Sequence, residues 1–300
     1  MMLTVPHISI CVCTYRRQEL LKRLLTGINR QESGDCFTYS IVVADNDAEQ
    51  TARSVVAEFL GQARVPVVYC VEPRRNIALV RNRAIAHADG DFIALIDDDE
   101  SPASGWLLNL FKTCTQPGVA GVLGPVVPHF DTEPPKWVRT GGFYERPRHP
   151  TGHKLEWTQC RTGNVLFAKR VLSGLAEPFR AEFGSGGEDQ DFFRRAIELG
   201  NTFVWCDEAP VSEVVPPSRW RRRFMLRRAL LRGRNFIRHH ESPAGWALKS
   251  AVAALIYALM LPVLFVMGHH HFMRYLVKLA DHTGRLLAVL GLNPMRERPM

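Results

Sequence analysis

The sequence predicts an α/β fold, a mostly parallel sheet with helices on both faces, followed by a helical C-terminal region that associates with membrane. Three observations carry this. Short apolar runs alternate with stretches of helical period between Ile8 and Cys206, the composition shifts at Pro216-Pro217, and an arginine-rich stretch then precedes a long apolar run. A chain of 300 residues with 46% hydrophobic content can hold one large domain or a domain with an appendage. The shift favours the second, with boundaries at 1–215 and 216–300.

Ile8 to Cys13 is an apolar run bounded by polar residues and reads as a strand; in Glu19 to Leu25 the leucines recur at helical spacing. The unit repeats, with Tyr39 to Ala44 as strand, Thr51 to Leu60 as helix and Val65 to Val71 as strand. Ile77 to His87 makes a further helix and Asp91 to Ile96 a buried strand. Such alternation implies a parallel sheet covered on both faces. The acidic run Asp97-Asp98-Asp99-Glu100 closes the last strand, at the carboxyl end where open α/β sheets bind ligands. From Pro125 to Thr158, proline, glycine and aromatic residues crowd together, and a mobile loop region is expected. Helical period returns from Asp189 to Leu199, after the glycine-rich Gly184-Ser-Gly-Gly187, and Thr202 to Cys206 reads as a strand.

Beyond Pro217 a basic helix is expected over the stretch that carries nine arginines between Arg219 and Arg238, with no acid among them. The net charge of +8, from 38 basic against 30 acidic side chains, is therefore concentrated there. Trp246 to Met267 is 22 residues long and carries charge only at Lys249, a length suited to a bilayer. His269 to Leu292 alternates basic and apolar residues as an interfacial helix does. Anionic lipid explains the adjacency of arginines and apolar run better than nucleic acid, and no nucleic acid partner is expected. A buried helical hairpin or a dimer contact is the competing reading of the apolar run. The seven cysteines lie on apolar segments without metal-finger spacing and read as buried thiols in a reducing compartment. No secretory signal is expected, so the catalytic part belongs in the cytoplasm and the protein at the cytoplasmic face of the inner cell membrane.

The acidic run offers hard oxygens to a divalent cation and a diphosphate, with Asp97 and Asp99 on one side of an extended turn and Asp98 on the other. A solvated acidic loop is the plain alternative. Asp45, in Val43-Ala-Asp-Asn-Asp47, could accept hydrogen bonds from a base or ribose, or could close an Asx-turn. Glu188-Asp189 at a helix start could deprotonate an acceptor hydroxyl or simply cap the helix.

Taken in order, these motifs resemble glycosyltransferase family 2, with the GT-A type fold, over about residues 7–220. Ile8 to Arg17 is similar to the family's first strand and its Thr-Tyr-Asn-Arg ending, with Arg16 in place of asparagine. Asn76 to Asn82 resembles the stretch before the metal motif, with Ala78 in place of glycine, and Ala94 to Glu100 resembles the D-x-D motif itself. Thr162 to Phe167 is similar to the acceptor-side strand, and Gly187-Glu-Asp-Gln-Asp191 to the motif that holds the base. The resemblance implies donor contacts from Thr14, Tyr15, Arg17, Asp45 and Asp47, and from Asn76, Arg81, Asn82, Asp97 and Asp98. It implies Mn²⁺ or Mg²⁺ at Asp99 and Asp97, with Glu213 standing where a histidine ligand is usual. It implies Asp189 as base with Glu188 beside it, and Gly163 and Asn164 on the acceptor side. The expected activity is inverting transfer of one sugar from a nucleotide-sugar, a UDP-sugar first, to a lipid-linked or oligosaccharide acceptor in exopolysaccharide synthesis. Processive members carry Q-x-x-R-W, and Pro216 stands where that glutamine would be. Two other classes remain open at this point, a basic membrane-surface or nucleic-acid-binding scaffold and a nucleotidyltransferase. The late Glu188-Asp189 motif and the lack of an N-terminal glycine-rich phosphate loop weigh against the latter.

Overall fold

A computed structural model describes residues 5–184, 186–238 and 243–292; Ser185 of the glycine-rich turn lies outside them. The first half follows the strand and helix alternation. Strands β1 (His7–Thr14), β2 (Thr38–Asp45), β3 (Val67–Val71) and β4 (Phe92–Asp97) alternate with α1 (Gln18–Ile28), α2 (Arg53–Leu60) and α3 (Ile77–Ala86). Then come β5 (Glu100–Pro102), α4 (Trp106–Cys114), β6 (Gly121–Leu123), β7 (Val126–His129), α5 (Lys136–Gly141), β8 (Val165–Ala168), α6 (Glu188–Glu198), β9 (Phe203–Trp205) and β10 (Val211–Val214).

The main sheet has the order β3-β2-β1-β4-β8-β6-β9, and a smaller sheet the order β5-β10-β7. In the main sheet β1 pairs in parallel with β2 and β4, β2 with β3, and β6 with β9; β8 alone runs against its neighbours. Side-chain alternation decides which face each strand residue serves. Ile8, Ile10 and Val12 pack into one core layer with Leu21, Leu24 and Leu25 of α1 and Trp106, Leu107 and Leu110 of α4. Cys11 joins the other, with Ala78, Val80, Ala84 and Ile85 of α3 and Phe192 and Phe193 of α6. In α1 the buried Leu21, Leu24, Leu25 and Ile28 recur at helical spacing, so one stripe faces the sheet. Burial of each such side chain contributes about 1.5–3 kcal/mol before entropy is charged against it.

The chain divides into two compact units, residues 5–127 with 146–213, and residues 128–145 with 214–292. The stretch expected as one mobile loop is therefore split: it contains β7 and α5, and 128–145 belongs with the C-terminal unit. Its aromatic residues explain why. Phe130, Trp137, Phe143 and Tyr144 pack around the buried Val138, Met225 and Met273, and the Tyr144 hydroxyl donates to the Arg219 carbonyl at 2.6 Å.

The second unit is helical, with α7 (Arg222–Arg238), α8 (Pro243–Met267) and α9 (His269–Val289). Helices α7 and α9 cross closely through two glycines. A Cβ on Gly233 would lie 1.9 Å from the Asp281 carbonyl oxygen, and one on Gly284 2.2 Å from that of Leu230. All seven cysteines are free; five are buried and Cys13 is half-buried, whereas Cys36 is exposed, unlike the buried thiol expected.

Candidate active site

The carboxyl ends of three parallel strands finish at one edge. Thr14 lies opposite Asp45 in the β1–β2 register and Cys13 opposite Asp97 in the β1–β4 register, so the acidic run emerges beside the Thr14-Tyr-Arg-Arg17 loop. Asp98 turns inward, where it accepts from the Thr14 hydroxyl at 2.8 Å and from Arg17 at 2.7 Å. Burial pushes its carboxyl up to about 6, against the pull of Arg17. Arg17 also reaches Asp99, at 3.2 Å, and its side chain stays 42% exposed.

Asp97 is different. Its side chain is 47% exposed, and its nearest cation is Arg81 at 3.4 Å. Partial burial raises its pKa; Arg81 opposes that, while Asp99 and Glu213 add to it. The Asp97 amide donates to Glu100 at 3.1 Å, and Glu100 sits directly across the β5–β10 ladder from Glu213, which Arg146 pairs. Burial and the neighbouring carboxylates of Asp97, Asp99 and Glu213 drive Glu100 well above the usual carboxylate range. Gly163 fits against this cluster because it has no side chain: a Cβ there would stand 2.6 Å from a Glu100 oxygen and 3.1 Å from an Asp97 oxygen.

Arg81 joins the two halves of the site. Projecting from α3, it is buried, with one arm on Asp97 and the other in a short contact with Glu188 at the start of α6. Glu188 is buried too, and the second oxygen of its carboxylate has no hydrogen-bond partner among the described residues. Burial pushes its pKa up to about 7, with Arg81 holding it down and Asp189 pushing it further. Asp189 points more outward, 20% exposed, with Arg161 at 4.0 Å and the Gln190 amide donating to it at 2.8 Å. Asp191, the last acid of that motif, is fully buried and clamped by Arg180 and Arg195, which overcome its burial and hold its pKa low.

Several expected contacts are engaged inside the protein instead. Asp45 is fully buried: its carboxylate accepts from the Asp47 amide at 3.0 Å, the Ala52 amide at 2.9 Å and the Tyr69 hydroxyl at 2.9 Å. The first of these is the Asx-turn, so Asp45 shapes the loop after β2. Asp47 holds Arg16 through two bonds at 2.9 and 3.1 Å. Arg16 has φ +52°, a left-handed conformation that asparagine adopts more readily, and this explains the residue usual at that position in the family. Asn76 caps α3, accepting from the Ala78 and Leu79 amides, and donates to the Ala181 carbonyl. Asn82 exchanges two bonds with the Phe179 backbone. Asn164, expected on the acceptor side, has φ +63° and is fully buried. It accepts from Trp106 at 2.7 Å and donates to the Pro125 and Ala209 carbonyls, which makes it a hub of the core.

Arg75 stands beside the expected donor loop and was passed over in the sequence. Its guanidinium lies 4.7 Å from the Tyr15 ring centroid, placing a cation beside the expected donor loop. Its only sequence signal is a place in the arginine pair before Asn76.

The rim offers hard carboxylate oxygens at Asp97, with Asp99 and Glu213 close enough to perturb it, and this chemistry fits Mg²⁺ or Mn²⁺. Among the described residues no group of three His, Cys, Asp or Glu converges as a ligand set, so Asp97, Asp99 and Glu213 do not form the closed trio the resemblance implied. An ion there would complete its shell with phosphate oxygens, as ions held by one or two carboxylates do.

The model of glycosyl transferase family 2 matches residues 9–169. The chain belongs to this family. A glycosyltransferase by that membership, the family 2 enzyme is 33% identical over 299 residues to the succinoglycan biosynthesis protein ExoM of Rhizobium meliloti, covering 97% of this chain and 95% of that one. Chondroitin synthase of Escherichia coli is 23% identical, with 72% of this chain matching 36% of that protein. Among solved structures, the mannosyltransferase PcManGT of Pyrobaculum calidifontis, in complex with GDP-Man and Mn²⁺, superposes with a TM-score of 0.58 at 19% identity over 97% of this chain and 76% of that one. S. aureus TarS 1-349 in complex with UDP gives 0.54 at 17% identity, over 96% and 93%. At such identity these two neighbours speak for the fold, which is of the GT-A type.

Proposed function

We propose that this enzyme moves one sugar, with inversion, from a nucleotide-sugar to a lipid-linked or oligosaccharide acceptor at the cytoplasmic face of the membrane, in exopolysaccharide synthesis. A UDP-sugar is the donor we favour. The observation that carries this reading is Arg81, which ties the half-exposed Asp97 to Glu188, next to Asp189. A donor rim and a base would thereby be held in one rigid arrangement, as in-line displacement requires.

In this mechanism Tyr15, Arg17 and Arg75 line the donor side. Asp97, with Asp99 and Glu213 near it, would hold Mn²⁺ or Mg²⁺, which when bound neutralises charge developing on the departing diphosphate. Asp189 takes the proton of the acceptor hydroxyl as that oxygen attacks the anomeric carbon and the bond to the nucleoside diphosphate breaks. Arg81 fixes Glu188, and Glu188 keeps its neighbour Asp189 oriented toward the rim. Support for the pathway comes from the succinoglycan relative, which matches this chain over nearly its whole length. Support for the lipid partner comes from the nine arginines of 219–238 beside the apolar α8. The test is calorimetric titration of UDP-, GDP- and dTDP-sugars with and without Mn²⁺, on the wild type and on Asp97→Asn. Metal-dependent binding of one donor, lost in the variant, is expected; equal binding by both proteins would remove Asp97 from the donor site.

A further inference from the structure

The apolar helix α8 is long enough to cross a bilayer, at 25 residues and about 37 Å for a rise of about 1.5 Å per residue. What packs against it argues for another placement. Helix α9 runs antiparallel along α8: the Phe265 and Phe272 rings lie 5.5 Å apart, Tyr257 and Tyr275 5.6 Å, and Tyr257 and His282 5.6 Å. Helix α7 runs parallel to α9, with Met225 meeting Met273 near one end and Leu230 meeting Gly284 further on. The three helices thus lie side by side with α9 in the middle, and whatever depth α8 adopts, the others share.

That shared depth is charged. At the level of Tyr257, in the middle of α8, stand Lys278, 5.9 Å from the Tyr257 ring centroid, and His282. Next to them Asp281 accepts from Arg232 of α7 at 2.9 Å and from Arg285 at 3.0 Å. A spanning α8 would carry this cluster, and the arginines of α7, to the middle of the hydrocarbon, where ionised side chains are most costly. Meanwhile the opposite side of α8 is bare: Leu248, Val252, Leu255, Leu259, Val263 and Val266 are all exposed, in steps of three or four residues.

The bare apolar face calls for lipid in either placement, and the charged cluster at the level of Tyr257 fits an interfacial layer and not a span. We infer that α8 does not cross the membrane: α7, α9 and α8 lie in the plane of an anionic lipid surface. The outer face of α8 sinks about 5–10 Å into the acyl boundary and the arginines of α7 stay at headgroup level. This deepens, and rests on, the membrane association proposed above.

The test uses the full chain in sealed vesicles of both orientations containing anionic lipid. Cys36, the exposed native thiol, is replaced by serine, and single cysteines are placed before α8 (Arg238→Cys) and at the turn between α8 and α9 (His270→Cys). An impermeant maleimide should modify both from the face that bears the catalytic unit. Modification of His270→Cys from the opposite face only would establish a span and overturn the inference, as would failure of the protein to sediment with the vesicles. In a second variant, Leu255→Asp with Leu259→Asp, the membrane-bound fraction should fall at least about tenfold with donor binding unchanged, since two buried leucines are lost. Undiminished membrane binding by that variant would refute the assigned face. Sugar transfer is measured on the same vesicles: absent transfer with both cysteines on one face would count against the proposed activity while leaving the in-plane arrangement standing.

Discussion

The two units handle charge and apolar surface in opposite ways. In the α/β unit every core layer is closed, Ile10 against α1 and α4 on one side and Cys11 against α3 and α6 on the other, and buried charge is gathered at one edge of the sheet around Arg81. In the helical unit the core is a small patch around Met225 and Met273, arginines spread along α7, and the largest apolar face is left open on α8. The first unit sets paired charge at the edge of a closed core. The second suits the anionic lipid surface proposed for it, apolar on one side and charged on the other.

That contrast can be broken at several points. The largest effect is expected at Asp189→Asn, which should lower the turnover number by about 10²–10⁴-fold, the usual reach of general base catalysis, while donor affinity measured by calorimetry changes little. Turnover within a few-fold of wild type would remove Asp189 as the base. Next, Arg81→Met strands Asp97 and the buried Glu188 without their cation and should destabilise the α/β unit by about 3–5 kcal/mol in denaturant unfolding. A loss under 1 kcal/mol would mean that the link between the two carboxylates is incidental.

The third prediction concerns pH. Burial raises Glu188 to about 7 and Asp98 to about 6 in the folded chain, above their unfolded values, so the folded state binds more protons between roughly pH 4 and 7. These groups therefore favour folding at low pH and oppose it as pH rises through their folded pKa values. Unfolding free energy of wild type minus Glu188→Gln should fall by on the order of 1–3 kcal/mol from pH 5 to 8; a difference that climbs over that range would show Glu188 to be held ionised. In the other unit, replacing the exposed Arg223 or Arg228 with glutamine should weaken binding to anionic vesicles about fivefold each, or about 1 kcal/mol, and the effect should vanish in high salt. The smallest effect is expected at the exposed Lys22–Glu58 pair, where Lys22→Ala should leave the melting temperature unchanged.

Much of this architecture was legible in the residues. Strands β1 to β4 and helices α1 to α3 are announced by apolar runs and leucine spacing, and α7 to α9 by charge and length, because long periodic segments bury one face wherever they pack. Strands β5, β6, β7 and β10 have three or four residues each, too few to show a period, and they are strands because neighbours supply their ladder. Helix α4 carries its own buried stripe and was passed over in the reading of the chain.

The sequence by itself determined which residues are candidates for chemistry: the acids after β4, the Glu188-Asp189 pair and the arginines beyond Pro217 are all visible as composition at fixed places. Tertiary structure decided what each is free to do. Asp45, Asn76 and Asn164 have the types expected of ligand contacts, yet backbone amides, carbonyls and one indole engage them first, because a buried polar group must find a partner and the nearest partners were protein. Arg81 shows the reverse. Nothing in the string places it near Glu188, 107 positions away, and only the packing of α3 beside α6 makes one cation serve both carboxylates.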